Sequence, residues 1–365
     1  MDNKIFWPSN SSEWTEVVPE EQGLDSKKIS EMFEFIKKNS YNLHSVIIAR
    51  NGYLLTEEYL HNSQTLDTKA YSDLLPPKAY TGPNHIYHDQ ASATKSITSI
   101  LIGIALKEGF LNNLNQTLYE FFDDIWDPNF CDSELKKNIT IEQLLTMNSG
   151  LIGEWEPNYP KTKYPPDDCI NLALNDVPIG VTPGQAGNWV YNNDGPNLLS
   201  GIITKATGKS TEEFAKEYLF TPLGIADEET FWPHDSKGIN YGAYIFHCSP
   251  KVQAKLGILC YSNGSWDGKQ IVDKDYIRDA TTVKLSMSKG EKSMDYGYLF
   301  FMMDSPIEGY FMAGSGGQMI YVMPEYNLTV GVTAGGNIPK EGYEKLLTDY
   351  IIQFTKPEGN QIPDD

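Results

Sequence analysis

Strand-forming patterns occur near both ends of this chain, and a mainly helical stretch separates them. Near the beginning, a helical pattern from Asp25 to about Lys38 precedes HSVIIAR, the turn Asn51-Gly52 and YLLTEEYL, which predict a β-hairpin. Near the end, three strand-like segments, YGYLFFMM, QMIYVMP and LTVGVTAGG, precede the amphipathic helix KEGYEKLLTDYIIQF. This order predicts one sheet built from both ends of the chain and interrupted by a helical insertion.

The middle of the chain, from about residue 105 to 240, alternates short helical patterns with connections rich in Pro, Gly and Asn. The helical patterns include ITIEQLLTMNSG, DDCINLALND and GPNLLSGIITKATG. Residues 62–84 have the composition of a loop and lead to the segment that carries the first candidate catalytic residue.

Ser92 and Lys95 form a Ser-x-x-Lys motif just before an apolar run, ITSILIGIALKEG. Residues three apart on an α-helix share a face, so the Lys95 amine is predicted to lie beside the Ser92 hydroxyl. A serine needs a neighbour that takes its proton, and a desolvated lysine is able to help. The run is apolar nearly all round, which predicts a buried helix that stops at Gly109. This layout favours an acyl-transfer serine enzyme.

The same spacing occurs at Ser133/Lys136 and at Ser286/Lys289. The first copy lies in the charged stretch CDSELKKN and the second in the polar stretch SMSKGEK, so both are predicted to be solvated surface. For Ser92 itself there is a structural alternative, in which it is a helix N-cap and Lys95 extends its amine to solvent.

Tyr191 and Asn193 are candidate partners for the Ser/Lys pair. A tyrosinate near Lys95 can serve as general base, and the Asn193 amide can orient Lys95 or the substrate. A similar tripeptide begins at Tyr261, but it runs into GSWDG, which is typical of a turn. The alternative for Tyr191 is a loop tyrosine that fills space. Trp155 and Tyr159, in the preceding loop, either line the pocket or cover the helical lobe.

The segment AGSGGQ, with Gly314, Ser315 and Gly316 at its centre, leads into a predicted strand. Glycines let a strand edge approach a ligand closely, and a backbone N–H here can complete an oxyanion hole with that of Ser92. The alternative is a tight turn or bulge. The segment also resembles a nucleophile elbow with Ser315 as nucleophile, but that fold places its histidine after the serine, and the last histidine here is His247.

Composition limits the partners of this protein. A formal net charge of −20 and a pI of about 4.7 argue against a nucleic acid or an anionic membrane surface, because both would repel the average surface. The sequence contains no run of eighteen apolar residues, so no segment is predicted to insert into a membrane. The N-terminus lacks a basic and apolar leader, so we expect a cytoplasmic protein as written, or a periplasmic or secreted one if a leader has been removed.

Cysteines and histidines give no metal-binding pattern. Cys131, Cys169, Cys248 and Cys260 include no C-x-x-C pair, so free thiols are expected, with a Cys248–Cys260 disulfide left open. The H-x-x-H at His85 and His88 has no evident third ligand and is predicted to be solvent-exposed, and the pair His234-Asp235 is predicted to lie on the surface.

In their order along the chain, Ser92-x-x-Lys95, Tyr191-x-Asn193 and the glycine-rich strand entry resemble the serine β-lactamase and penicillin-binding-protein superfamily. The similarity is strongest to its class C-like esterase and 6-aminohexanoate-dimer-hydrolase-like branch. It runs from Pro19 to the last helix. The supporting phrases are SVIIARNG, ATKSITSILIGIAL, LLTMNSGL, LFTPLGI, WDGKQIV and GSGGQMIYVMPEYNLTV.

The resemblance implies an α+β fold of the β-lactamase/transpeptidase type, with an antiparallel sheet flanked by helices beside a mainly helical lobe. It implies one domain over residues 1–365, with the sheet lobe at about 1–100 and 245–365 and the helical lobe at about 105–240. It also implies Ser92 as the acylated nucleophile, Lys95 and Tyr191 as the proton-handling pair, and Asn193 as their hydrogen-bonding neighbour. No metal or organic cofactor is implied.

The Lys-Thr-Gly of many penicillin-recognising members is missing, and Gly314-Ser315-Gly316 stands where it is expected. Without that cation the site lacks a partner for a substrate carboxylate, so a neutral small-molecule ester or amide is favoured. No carboxylate that activates a deacylating water is identified, so Tyr191 is expected to serve both half-reactions. The alternatives are a D-alanyl-D-alanine carboxypeptidase or β-lactamase, and a non-catalytic penicillin-binding-like sensor.

Overall fold

The computed structural model describes residues 5–60, 88–289, 292–303, 307–336 and 338–352, so the predicted loop at 62–84 lies outside the described residues. Its central feature is an eight-stranded sheet in which all the paired neighbours run antiparallel. The strands along the chain are β1 (Leu43–Arg50), β2 (Tyr53–Tyr59), β3 (His88–Asp89), β4 (Thr230–Phe231), β5 (His247–Cys248), β6 (Ser265–Trp266), β7 (Lys269–Gln270), β8 (Leu285–Lys289), β9 (Lys292–Tyr296), β10 (Phe301–Met302), β11 (Tyr310–Gly314), β12 (Gln318–Met323) and β13 (Leu328–Ala334).

The order of strands in the large sheet is β2-β1-β13-β12-β11-β10-β9-β8. The first hairpin therefore pairs with the last strand, and Ile47 of β1 lies opposite Gly331 of β13. This confirms the prediction that one sheet is built from both ends of the chain. The short strands form a three-stranded sheet, β3-β5-β4, and the hairpin β6-β7.

Helices cover the sheet and fill the middle of the chain. The α-helices are α1 (Ser26–Lys38), α2 (Thr94–Lys107), α3 (Leu118–Phe122), α4 (Ser133–Lys136), α5 (Ile141–Leu145), α6 (Cys169–Asn171), α7 (Asp194–Thr207), α8 (Thr211–Ala215), α9 (Pro250–Tyr261), α10 (Lys274–Ala280) and α11 (Lys340–Lys345). Three of them continue into a π-helical turn, at Leu172–Asp176, Lys216–Phe220 and Leu346–Ile351. The division into a sheet lobe and a helical lobe at the predicted residue boundaries stays a proposal.

Both faces of the sheet are buried. Along β1, Val46 and Ile48 pack into a core with side chains of α1 and of the last helical turns, whereas Ile47 and Ala49 pack into a larger core with α2 and α9. Alternate residues of a strand point to opposite faces, so a strand covered on both sides is apolar throughout its centre. The sheet flanked by helices agrees with the predicted α+β fold.

Helix α2 is buried over nearly its whole length, as its all-round apolar pattern predicts. Gly103 allows close packing, because a Cβ there would lie 2.4 Å from the ring of Tyr276 in α10. The helix ends at Lys107, and Gly109 has φ +78°, which fits its predicted role as a stop signal. No helix within the described ranges is long and apolar enough to cross a membrane.

The segment YGYLFFMM, predicted to be strand-like, is in strands only at Tyr296 and at Phe301–Met302. Strand β9 ends at Tyr296, and β10 is formed by Phe301 and Met302 alone. Between them Leu299 has φ +62°, and its backbone N–H donates to the carbonyl of Leu145 at 2.9 Å. The residues between β9 and β10 therefore form a turn. Their backbone is hydrogen-bonded to the helical region and not to a neighbouring strand.

The prediction that Ser133 and Lys136 are solvated surface is wrong. Lys136 is fully buried, and its Nζ donates to the carbonyl of Leu174 at 2.7 Å. Ser133 is buried as well and accepts a hydrogen bond from Trp126 Nε1 at 3.0 Å. Burial lowers the pKa of Lys136 to about 8, because removal from water disfavours the charged form of the amine. Ser286, of the third copy, is exposed as expected.

Candidate active site

Ser92 lies in a short 3-10 turn, Ala91–Ala93, immediately before α2. Ala91 has φ +44°, a strained conformation for a residue with a Cβ, and its backbone N–H donates to the Asp89 carboxylate at 2.7 Å. Helix α2 begins at Thr94, whose Oγ1 donates to the Ala91 carbonyl at 2.6 Å. Ser92 is therefore not the N-cap of α2, and its hydroxyl is available for another role.

Lys95 lies beneath Ser92 and is 1% exposed, so the alternative in which it extends to solvent is wrong. Its Nζ donates to Ser92 Oγ at 3.0 Å, to Asn193 Oδ1 at 2.6 Å and to the Ala243 carbonyl at 2.9 Å. These three acceptors match the three hydrogens of an ammonium. The ammonium also lies 4.8 Å from the centroid of the Tyr191 ring. Lys95 thus joins three of the residues that the sequence proposed.

The two asparagines before α7 have different roles. The side chain of Asn192 caps the helix, because its Oδ1 accepts from the Gly195 N–H at 2.7 Å. The side chain of Asn193 instead connects two charged groups: it accepts from Lys95 and donates through Nδ2 to Glu154 Oε1. The amide of Asn193 is thereby oriented from both sides.

Strand β11 approaches the turn that carries Ser92. A Cβ on Gly314, the last residue of β11, would lie 2.2 Å from the Gln90 carbonyl oxygen and 3.0 Å from the Ala91 Cβ. Gly316, with φ +80°, is in the left-handed region that favours glycine. The structure therefore contains the tight turn that was the alternative prediction, and it brings the end of β11 close to the Ser92 turn. The predicted approach to a ligand stays a prediction.

A cavity of about 460 Å³ opens above Ser92, within the usual size for small-molecule sites of about 300–1,000 Å³. Four of the predicted residues besides Ser92 contribute to its wall, whereas Lys95 lies underneath. The lining residues are Ser92, Glu154, Trp155, Tyr164, Tyr191, Asn193, Phe301, Ala313, Gly314 and Ser315. Gly316 completes the turn next to this wall.

Glu154 is a site residue that the sequence analysis missed. Burial raises the pKa of its carboxyl, and the charge of Lys95 opposes that shift. In the sequence it is one of two glutamates in the loop LIGEWEPNYP, and no periodicity or motif distinguishes it from a solvated glutamate. The neighbouring Trp155 lines the cavity, whereas Tyr159 points away from it into the helical region.

Asp194, the residue after Asn193, is a buried carboxylate under the site. Tyr159 Oη donates to its two oxygens at 3.2 and 3.1 Å, and burial raises its pKa to about 7. Between pH values of about 3.8 and about 7, the Asp194 carboxyl is therefore protonated in the folded state and ionised in the unfolded state. The stabilisation from this proton is complete below that interval and is lost as the pH rises to about 7.

We expect Asp194→Asn to remove this pH dependence. As the pH rises from about 4 to about 7, the free energy of unfolding of the wild type should fall relative to the variant, by up to about 1.4 kcal/mol per pH unit. Urea denaturation across this interval measures the difference, with Asp123→Asn as the control because Asp123 is exposed. Parallel curves for the wild type and Asp194→Asn would show that Asp194 does not titrate there.

Other candidate residues have structural roles. Tyr261 is buried at the end of α9, and its Oη accepts from the Gly52 N–H at 2.9 Å. His234 is exposed, as predicted. Asp235 is buried, so the prediction that Asp235 lies on the surface is wrong. The Asp235 carboxylate accepts from three backbone N–H groups that shape its loop, those of Cys169, Lys237 and Ile239.

Cysteine and histidine side chains are the usual ligands of transition metals in proteins. All four cysteines are free thiols, so the Cys248–Cys260 disulfide is not formed. His88 is buried, contrary to its predicted exposure, and His85 lies outside the described residues. Within the part of the chain that the structure describes, no group of three or more His, Cys, Asp or Glu side chains is arranged to hold a metal ion.

Comparison with known proteins places this geometry in a family. The Beta-lactamase family model matches residues 45–350. Penicillin-binding protein 4* of Bacillus subtilis is 26% identical over 62% of this chain, and the chain spans about half of that relative, 54%. A candidate 6-aminohexanoate-dimer hydrolase from Bacillus anthracis has a similar fold, with a TM-score of 0.69 at 19% identity, over 88% of this chain and 81% of the other. A family VIII carboxylesterase gives a TM-score of 0.64 at 15% identity, over 89% and 96%. The chain belongs to the beta-lactamase family.

Proposed function

We propose that this protein is a serine hydrolase that transfers the acyl group of a carboxylic ester or amide to Ser92 and then to water. The observation that carries the proposal is the position of the Lys95 ammonium, which donates to Ser92 Oγ and Asn193 Oδ1 under the ring of Tyr191. The names of the structural neighbours, a hydrolase and a carboxylesterase, support the same class of activity.

In the proposed acylation, Ser92 Oγ attacks the carbonyl carbon, and Tyr191, acting as a tyrosinate, takes the Ser92 proton on Oη. The hydrogen bond from Lys95 orients the hydroxyl and stabilises the charge that develops on its oxygen. Backbone N–H groups of Ser92 and Ser315 bind the oxyanion, which the close approach of Gly314 to the Ser92 turn supports. Tyr191 then returns the proton to the leaving group, and the acyl group stays on Ser92.

In the proposed deacylation, Tyr191 takes a proton from water as the water oxygen attacks the acyl carbonyl. The proton then passes to Ser92 Oγ as the acyl–oxygen bond breaks, and the carboxylic acid leaves. Tyr191 therefore serves both half-reactions.

A peptidoglycan or β-lactam substrate fits this site less well. Such substrates carry a carboxylate, and among the described residues that line the cavity there is no lysine, arginine or histidine to bind it. The lining includes an acidic side chain instead, that of Glu154. A carboxypeptidase or β-lactamase activity is the second candidate, and the observation in its favour is that the Bacillus subtilis relative is named a penicillin-binding protein.

Treatment with a fluorophosphonate, followed by intact-mass analysis, tests the proposal. We expect one adduct on the wild type and on Ser315→Ala, and none on Ser92→Ala, because only an activated serine reacts with this reagent. An adduct on Ser92→Ala that disappears in Ser315→Ala would move the nucleophile to Ser315. Turnover of a chromogenic ester distinguishes a hydrolase from a sensor, since a sensor releases a single burst of product.

A further inference from the structure

The chain that leads into the Ser92 turn is held by the small sheet beside it. Asp89 ends strand β3, where it lies opposite His247 of β5, and both residues are buried. The next residue, Gln90, is also buried and donates its backbone N–H to the Phe246 carbonyl at 2.7 Å. The Asp89 carboxylate therefore has a fixed position two residues from Ala91.

Ala91 is strained and is held at both ends. Its φ of +44° costs free energy in a residue with a Cβ, so the surrounding bonds must maintain this conformation. The Asp89 carboxylate accepts from the Ala91 N–H at 2.7 Å, and the Thr94 hydroxyl donates to the Ala91 carbonyl at 2.6 Å. All three residues are buried. A hydrogen bond to a charged acceptor is stronger than one to a neutral acceptor, so the Asp89 carboxylate is suited to offset the strain.

The peptide group between Ala91 and Ser92 carries the N–H that the proposed mechanism assigns to the oxyanion. This bond is trans, and the C=O and the N–H of a trans peptide point in opposite directions. Because Thr94 binds the C=O on one side, the Ser92 N–H points to the other side. The backbone angles of Ala91 set the direction of that N–H, so a bond that holds Ala91 also orients the oxyanion donor.

We propose that Asp89 is a positioning residue for the oxyanion hole, because its carboxylate keeps Ala91 in the strained conformation that orients the Ser92 N–H. The inference rests on the proposed function, since it adds a residue to the same reaction. Asp89 is not among the residues that line the cavity, so it acts through the backbone and not by contact with substrate. A misplaced donor loses most of its effect in the transition state, where the negative charge develops on the substrate oxygen.

Asp89→Ala should lower kcat for a chromogenic ester by about tenfold to a hundredfold and change KM by less than about threefold. A trifluoromethyl ketone mimics the transition state: Ser92 Oγ adds to its carbonyl carbon, Tyr191 takes the serine proton, and the former carbonyl oxygen becomes an alkoxide. Its affinity should fall by the same factor as kcat/KM. A role in folding alone would lower the amount of active protein but leave the affinity of the active fraction unchanged. Unchanged kcat or unchanged inhibitor affinity would overturn the proposal.

A double-mutant cycle with Ala91→Gly tests the cause of this loss. Glycine adopts a positive φ without strain, so the turn then needs the Asp89 hydrogen bond much less. In the Ala91→Gly background, Asp89→Ala should change kcat by less than about threefold. A loss as large as in the native background would overturn the proposal. If Asp89→Ala alone does not fold, recovery of active protein in the double variant supports the proposal, and its failure to recover refutes it.

Two further variants are controls. Asp89→Asn keeps an acceptor oxygen and should retain kcat within about threefold, whereas a loss as large as in Asp89→Ala would assign the effect to the charge and overturn the proposal. Asp235 is likewise a buried carboxylate that accepts from backbone N–H groups, but it lies outside the cavity lining. Asp235→Ala should lower the urea midpoint and leave kcat and inhibitor affinity unchanged. A parallel loss of inhibitor affinity there would show that the effect is not specific to Asp89.

The proposed function and this inference fail by different results. If Asp89→Ala hydrolyses the ester as well as the wild type does, the hydrolase stands and the positioning role falls. If the wild type neither hydrolyses esters nor reacts with the fluorophosphonate, the proposed function falls, and urea denaturation of the proteins of the cycle decides whether Asp89 holds Ala91. A midpoint shift for Asp89→Ala that is smaller in the Ala91→Gly background supports that role, and equal shifts refute it.

Discussion

Replacement of Lys95 by methionine should lower kcat/KM for an ester substrate by about a hundredfold to ten-thousandfold. Methionine fills nearly the same volume but removes the hydrogen bond to Ser92 Oγ and the charge under the Tyr191 ring. It also removes the donor from Asn193 Oδ1 and from the Ala243 carbonyl. One part-buried and one buried acceptor then lack their donor, so the free energy of unfolding should fall by about 3 kcal/mol. Steady-state kinetics and urea denaturation measure the two effects.

Two control variants separate rate from stability. Lys107→Met makes the same change at the end of α2, where the side chain pairs with Glu108 at the surface, and should alter neither quantity. Lys136→Met removes a buried lysine that donates to the Leu174 carbonyl, so it should change stability but not kcat/KM. Turnover at the wild-type rate in Lys95→Met would exclude Lys95 from the mechanism.

The contrast between Lys95 and Lys136 shows what the sequence was able to predict. Both follow a serine at the same spacing, and both are buried in the structure. The apolar run after Ser92 is long enough to reveal a buried helix by its periodicity, whereas α4 has four residues and its pattern carries no period. The charged residues around Lys136 therefore led to the wrong prediction that its side chain is solvated.

Local patterns also account for what was predictable in the fold. The first hairpin follows from the turn Asn51-Gly52 between two runs of strand-forming residues, and α1 follows from its N-cap Asp25. The segment after Tyr296 is also rich in strand-forming residues, but a hydrogen bond between Leu299 and the helical region replaces strand pairing there. Such a contact depends on residues far apart in the chain, so local propensity did not reveal it.

Glu154 illustrates the same limit at the site. Asn193 was selected because it stands two residues after a candidate base, a spacing that is visible in the sequence. Glu154 becomes part of the site because its loop folds against Asn193, across 39 positions of the chain. Only the tertiary structure brings that carboxylate into the cavity, and the sequence reading accordingly identified no acidic group there.

Replacement of Tyr191 by phenylalanine should lower kcat by about a hundredfold or more while the protein keeps its fold. Phenylalanine retains the ring that stacks on Trp155 and lies above Lys95, so packing is preserved. It lacks the hydroxyl that, in the proposed mechanism, moves the proton in both half-reactions. Acylation and deacylation should therefore both slow, which single-turnover kinetics with a chromogenic ester measures separately.

Tyr261→Phe is the matched control for this change. The Tyr261 hydroxyl accepts a hydrogen bond from the backbone N–H of Gly52, away from the cavity-lining residues. Its loss should lower the free energy of unfolding by about 1 kcal/mol and leave kcat unchanged. If Tyr191→Phe retains wild-type rates in both steps, Tyr191 is not the proton carrier. A slow deacylation with normal acylation would instead confine Tyr191 to the activation of water and require another group to accept the proton of Ser92.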